Sequence, residues 1–264
     1  MIIDFHTHTF PDNIAQKAID DLKKLSDFSV YADGRESSLI ENLKKGEVDY
    51  AVVLPVSTKA SQVESINRYN VEKNIPNIFF IGAMHPDFPD FEKELSFLSS
   101  NGIKGIKLHP EFQDFKPDDK KYYPMYEALI SFDMFVLFHS GKEEFLKRLV
   151  PNGHPKNFYA LQKQFPTLKI VVAHCGGHAM YDEMEEFLLG KNIYFDLSYE
   201  LPFVDEQKIL KLFNKHSKDL ILYGSDYPWQ PLQEYHNYFN KFKLSLSDKE
   251  KIEYKNALEL LGKK

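Results

Sequence analysis

Met1-Ile-Ile-Asp4-Phe-His6-Thr-His8 opens the chain with a short apolar run that finishes on two histidines. Three later segments repeat the pattern: Phe135-Val-Leu-Phe-His139-Ser-Gly141, Ile170-Val-Val-Ala-His174-Cys-Gly-Gly177 and Leu220-Ile-Leu-Tyr-Gly-Ser-Asp226-Tyr-Pro-Trp229. Each run has the length of a buried strand, and each ends on a side chain able to bind a metal. Four such ends, spread over most of the chain, need a fold that gathers them in one place. A parallel barrel does so, because its strands all point the same way and its C-terminal mouth holds the active site.

Outward from these runs, apolar and amphipathic stretches alternate along the whole sequence. Strands are expected at 2–8, 50–56, 78–85, 103–109, 134–140, 169–175, 192–198 and 220–226. Between them lie helical patterns. Ser37 or Ser38 caps a helix through Leu39, Leu43 and Lys45 that Gly46 stops. Pro89 opens one carrying Phe91, Leu95 and Leu98, which ends near Gly102. Another carries Tyr126, Leu129 and Ile130 after Pro124, and residues 204–214 carry Ile209, Leu210 and Phe213 at helical spacing. Near-continuous apolar strands alternating with helices call for parallel crossover units buried on both faces. The expected fold is α/β, a (β/α)8 TIM barrel in one domain over residues 1–264. The stretch 9–34 is longer than an ordinary connection and is expected to form a small cap after the first strand.

Bulk properties fit this reading. The 264 residues suit one large barrel, and 27% charged against 43% hydrophobic residues is ordinary for a globular chain. A net charge of −6 without a basic stripe argues against nucleic acid as a partner. The longest apolar runs are strand-length, so no membrane span is expected. The chain starts at Met1 directly with strand-like sequence and no signal peptide, which predicts a cytoplasmic protein. Its single cysteine, Cys175, excludes an internal disulfide and any Cys-rich zinc module. A metal would therefore be held by histidine and carboxylate. Oligomeric state is open, with a homodimer one option.

His6 and His8 stand two apart on a strand, so both side chains leave the same face and reach one ion. His139 would complete a trio. Asp226 could bind the metal and accept a proton from its water, although Ser-Asp-Tyr-Pro is also good turn chemistry. His174 is a further ligand, or the residue that orients water or polarises the substrate. Lys107 and His109 share a face of the fourth strand and look toward the same mouth. His85 and His178 stand near strand ends without a firm role, while His154, His216 and His236 sit in polar or helical contexts and read as solvated. Cys175, by strand alternation, turns away from His174 into the packing. Asp4 and Asp196 point the same way as the mouth-facing residues, as acceptors behind the ligands or as an interior polar pair. Tyr227 and Trp229 either line the pocket or pack against the cap.

The ordered set His6-Thr-His8, Gly105-Ile-Lys-Leu-His-Pro110, His139-Ser-Gly141, His174-Cys-Gly-Gly177, Gly224-Ser-Asp-Tyr-Pro-Trp229 and Asn256-Ala-Leu-Glu-Leu-Leu-Gly262 resembles the amidohydrolase superfamily over essentially the whole length. It is most similar to the amidohydrolase-related branch that includes aminocarboxymuconate-semialdehyde decarboxylase. The resemblance implies that His6, His8, His139 and Asp226 are metal ligands and His174 the catalytic histidine. In two-metal members a carboxylated lysine on strand four bridges the ions, a role Lys107 would imitate. Otherwise Lys107 binds a substrate carboxylate or neutralises interior acids.

These residues lead to an expected metal-dependent hydrolase with one divalent ion, zinc, although iron, manganese or cobalt suit the same ligands. The ion would bring the pKa of its water to about 7. Asp226 would take the proton as hydroxide attacks a small-molecule ester, lactone or amide, and His174 would stabilise the oxyanion. Lys107, His109 and Trp229 are the expected substrate contacts, with Lys107 unmodified. The alternative reaction is non-oxidative decarboxylation of a small carboxylated substrate on the same residues. A third reading is a barrel that has lost catalysis and serves as a binding scaffold.

Overall fold

The computed structural model describes residues 1–25, 29–73, 75–143 and 146–263. The chain divides into two compact units. The first comprises Met1–Val53, Ile75–Phe79 and Asp196–Ala257, and the second Leu54–Asn74, Phe80–Phe195 and Leu258–Lys264. In chain order the strands are β1 (Ile3–Thr7), β2 (Tyr50–Val53), β3 (Ile78–Phe80), β4 (Gly82–Ala83), β5 (Gly105–Leu108), β6 (Phe135–Phe138), β7 (Ile170–Val172), β8 (Tyr194–Asp196) and β9 (Ile221–Leu222).

In the first unit β1 is buried at all five positions and pairs parallel with β2, Ile3 opposite Tyr50 and Asp4 opposite Ala51. The other edge of β1 meets the end of the chain. Phe5 N–H donates to the Tyr223 carbonyl at 2.9 Å, Asp226 N–H donates to the His6 carbonyl at 2.9 Å, and Thr7 bridges Tyr227 in parallel. This first-to-last pairing is what barrel closure requires. Gly224 permits it, since a Cβ there would stand 2.9 Å from the His6 Cβ. The expected cap holds a helix, Asp12–Leu25, and its return is tied by Phe10 N–H to the Gly34 carbonyl at 2.8 Å. Residues 26–28 of that stretch lie outside the described residues.

In the second unit β4 to β8 pair in parallel, each with the next in sequence. Helix Val63–Glu72 precedes these strands, and Phe91–Ser100, Tyr123–Ser131, Pro155–Gln164 and Tyr181–Phe187 fall one between each successive pair. Burial of every residue of β6 and β7 is the state their continuous apolar sequence predicts, and β5 is as fully buried although it carries Lys107.

Four expectations need correction. The strand expected at 78–85 is two, β3 and β4, parted at Ile81. At Gly82 the missing side chain lets Leu98 pack on the backbone, where a Cβ would come within 2.4 Å of its Cδ1. The helix expected from Ser37 or Ser38 starts at Glu36, with Arg35 at its N-cap and no side-chain cap bond. Ser37 Oγ instead donates to Asp12 at 3.3 Å, so its hydroxyl is engaged elsewhere. His216 is buried rather than solvated, at 2% exposure, because it closes the helix Glu206–Lys215 with its N–H on the Leu212 carbonyl. Cys175 is buried as expected, but on a tight turn with φ 53° rather than on a strand.

Candidate active site

The first unit carries a compact ligand set. His6 lies within β1, His8 one residue past it, and Asp226 four residues past β9. His6 Nε2 and His8 Nε2 are 3.1 Å apart, and Asp226 Oδ1 is 3.4 Å from the first and 3.3 Å from the second. One ligand atom from each of the three lies within 4.8 Å of the others. On its far side His6 Nδ1 is 2.8 Å from Asp196 Oδ2, with Ser198 Oγ at 3.0 Å. A buried carboxylate at that distance accepts a hydrogen bond from Nδ1–H, a tautomer that leaves the Nε2 lone pair aimed at the cluster. Two imidazole nitrogens converging with a carboxylate oxygen make a donor set that fits a divalent metal ion.

The backbone is bent to aim these groups. Asp226 has φ 73°, outside the range most residues adopt, and is held there by its own N–H on His6 and by Trp229 N–H on its carbonyl at 2.9 Å. Beneath the ligands, Asp4 Oδ1 accepts from Ser225 N–H at 2.9 Å and His6 N–H at 3.1 Å. Asp4 Oδ2 is buried with no hydrogen bond. Burial raises the Asp4 pKa from 3.8 to about 7, against the lowering effect of bonds from Ser225 and His6. Of the two acceptors considered behind the ligands, Asp196 thus serves the His6 ring and Asp4 serves backbone. Tyr227 is buried, its hydroxyl accepting from Asn42 at 3.3 Å, which is packing rather than pocket lining. Trp229 is half-buried.

The second unit gathers basic groups past its own strand ends. Lys107, on β5, is 1% exposed, and His109 follows that strand. Gln113 fixes the His109 backbone, accepting its N–H at 2.8 Å while donating to the Ser57 and Met84 carbonyls. The His109 ring stacks on Phe112 at 3.9 Å and on His139 at 4.0 Å. His139 Nδ1 is 3.0 Å from His174 Nε2. Burial, followed by the positive fields of His109, His174, Lys107 and His178, holds the His139 pKa well below 6.5, so this ring is neutral at pH 7. His174 has φ 57°, an imposed conformation at the start of its turn.

Glu143 is the residue that sequence reasoning passed over. Its Oε1 lies 3.5 Å from His109 Nε2 and 3.3 Å from His139 Nε2, and the three again place ligand atoms within 4.8 Å of one another. An acid four residues after a strand-end histidine was the available signal. His178 is half-buried, its ring 6.2 Å from that of His174. His85 is buried, its Nδ1 accepting from Asp87 N–H at 3.1 Å, which is a turn-forming role. His154 likewise caps a helix, accepting from Lys156 N–H at 3.1 Å, and His236 lies 3.0 Å from Glu253.

Parallel strands followed by histidine and carboxylate ligands define a metal-dependent enzyme of the barrel class. The chain belongs to the amidohydrolase family, whose model, described as amidohydrolase, matches residues 3–263. No curated protein matches it. Among solved structures it is similar to an uncharacterised TIM-barrel protein from Bordetella bronchiseptica, at 18% identity and TM-score 0.72, covering 99% of this chain and 98% of that one. It is also similar to 5-carboxyvanillate decarboxylase from Novosphingobium aromaticivorans, complexed with manganese, at 14% identity and TM-score 0.76, covering 99% and 96%. The third is 2,6-dihydroxybenzoate decarboxylase from Rhizobium, at 13% identity and TM-score 0.74, covering 99% and 98%. These likenesses establish the (β/α)8 barrel fold. Among the described residues no helix is long and apolar enough to cross a membrane.

Proposed function

We propose that this chain is a metal-dependent enzyme acting on a small carboxylated molecule, and that the bond it breaks joins the carboxylate to carbon. The observation that carries the reading is the convergence of His6, His8 and Asp226 as a candidate metal-ligand set, with the basic side chains of Lys107, His109, His174 and His178 around His139. A lysine ammonium is a natural contact for a substrate carboxylate. Decarboxylase activity of the structural relatives supports the same choice, which reverses the order of preference expected from sequence. Lys107 and His109 hold the carboxylate, with Trp229 a further substrate contact.

His6, His8 and Asp226 hold the ion, and on resemblance His139 joins them while His174 acts on substrate. An ion there supplies Lewis acidity to a substrate oxygen. Asp226 or His174 delivers a proton to the carbon bearing the carboxylate. The carbon–carbon bond then breaks, and carbon dioxide leaves as that carbon keeps the proton. Zinc, one ion per chain with Lys107 unmodified, suits the histidine-rich set, and manganese is the competitor suggested by the relatives. A single domain over residues 1–264, a cytoplasmic location in keeping with the free thiol of Cys175, and a homodimer supported by exposed Phe203 and Tyr31 complete the proposal.

Hydrolysis of an ester, lactone or amide is the second reading, favoured by the family description. Asp226 would then take the proton of the attacking water and His174 would donate to the oxyanion. One experiment separates the two. Zinc- or manganese-loaded protein is offered hydroxybenzoates with carbon dioxide release recorded, and lactones and esters with acid release recorded. Release of carbon dioxide that a chelator abolishes is expected. Acid release from the second panel alone would sink the decarboxylase reading.

A further inference from the structure

Three residues past β8 the chain of the first unit turns on a tyrosine. Tyr199 has φ 66°, and across it Glu200 N–H donates back to the Ser198 carbonyl at 2.8 Å. A bond between residues two apart over a positive φ makes a γ-turn of the rare, strained kind, which a bulky side chain resists. Glycine or asparagine would close the same turn at less cost.

The surroundings hold that strain in place. The buried Tyr235 hydroxyl donates to the Leu197 carbonyl and accepts from Leu201 N–H at 3.2 Å, which pinches the loop on either side of Tyr199. Ser198 N–H donates to Asp196 at 3.1 Å, and Tyr199 N–H donates to the Ser225 carbonyl at 3.2 Å. Both serines adjoin the candidate metal set: Ser198 Oγ is 3.0 Å from His6 Nδ1, and Ser225 directly precedes Asp226. Strands β7 and β9 are likewise followed by a residue of positive φ, His174 at 57° and Asp226 at 73°, and each has a proposed part in the reaction. The counterpart after β8 is Tyr199, half-buried, with its ring 5.0 Å from that of Phe203. Strain that the fold over-determines in this way is characteristic of functional positions.

We infer that Tyr199 contacts the substrate of the metal site, its hydroxyl donating to an oxygen of the bound carboxylated molecule while Phe203 steadies the ring. A phenol puts an O–H donor on a flat apolar body, which suits an anionic oxygen carried by a planar substrate. A smaller residue would relieve the turn and lose the contact, so stability and binding part company at this position. The inference rests on the carboxylated-substrate reading above and adds a residue to it.

Calorimetric titration of the zinc-loaded chain with 2-hydroxybenzoate tests this in wild type, Tyr199→Phe and Tyr199→Gly, with a thermal melt of each. Tyr199→Gly suits the turn and is expected to melt within about 3 °C of wild type while binding about tenfold or more weakly. Tyr199→Phe keeps the ring and the turn and loses the donor alone, so it is expected to melt with wild type and to bind about fivefold or more weakly. Wild-type affinity in Tyr199→Phe, or a Tyr199→Gly melt lower by more than about 5 °C, would overturn the inference alone. Absence of binding by the folded wild type would overturn the carboxylated-substrate reading and this inference together.

Discussion

Asp196 bears on the candidate metal site through a single hydrogen bond. It accepts from His6 Nδ1 at 2.8 Å and so fixes which ring nitrogen faces His8 and Asp226. Asp196→Asn keeps the shape but loses the charge that holds this tautomer. Metal affinity is expected to fall about 10–100-fold with the fold intact, read by competition with a chromophoric chelator. Unchanged affinity would leave Asp196 with a packing role only. Asp4 offers a second test at this scale. Its folded-state pKa stands near 7 against 3.8, chiefly through burial. The unfolded chain therefore gives up this proton first, and the metal-free protein loses stability as pH rises from about 4 to 7, by roughly 4 kcal/mol at most. Asp4→Asn keeps an oxygen for Ser225 and His6, so it is expected to flatten that slope and to exceed wild type in stability at pH 8. Urea titrations at pH 5 and pH 8 read both effects, and parallel slopes for the two proteins would refute the assignment. The convergence of His6, His8 and Asp226 was legible in sequence because a polar side chain closing an apolar run is a local signal. Glu143 stands four residues after His139, but its approach to His109 is set by the fold and not by spacing, so no role for it could be read from sequence alone.

Elements were legible in proportion to how completely they are buried. Strands β6 and β7 read as apolar runs because both faces are covered, and the amphipathic helices read from one buried stripe. The strand ends did not. Expected strands reached their final histidine or aspartate, whereas His174, Cys175 and Asp226 have left the ladder with φ of 57°, 53° and 73°. No propensity announces such turns, since they are forced by neighbours. Gly141 shows the force directly. It has φ 92°, and a Cβ there would stand 2.2 Å from His178 N and 2.3 Å from His178 O, both backbone atoms. Neither the conformation nor the contact admits a methyl group. Gly141→Ala is expected to destabilise the protein by about 2–4 kcal/mol and to move the loop that carries Glu143. Urea denaturation measures the loss; a change below about 0.5 kcal/mol would show that this junction yields freely.

Across the whole molecule, the candidate metal ligands join opposite ends of the sequence. His6 and His8 belong to the first strand, and Asp226 follows the last, where Asp226 N–H already bonds the His6 carbonyl at 2.9 Å. An ion on these three would fasten the pairing of first strand to last and bind only the folded chain. Mass action then ties stability to metal: a thousandfold excess over the dissociation constant contributes about 4 kcal/mol. For a chain of this size each kcal/mol moves the melting temperature by roughly 2–4 °C, so chelation is expected to lower it by about 10 °C. Zinc added back should restore it. His6→Ala supplies the control, since it removes one nitrogen of the set and should melt at the same temperature with or without chelator. Calorimetric scans of both proteins, apo and reloaded, decide the matter. A wild-type melt indifferent to chelator would mean that the convergence of His6, His8 and Asp226 holds no ion. A chelator effect that persists in His6→Ala would move the ion to other ligands, and the His109, His139 and Glu143 set would be the place to look.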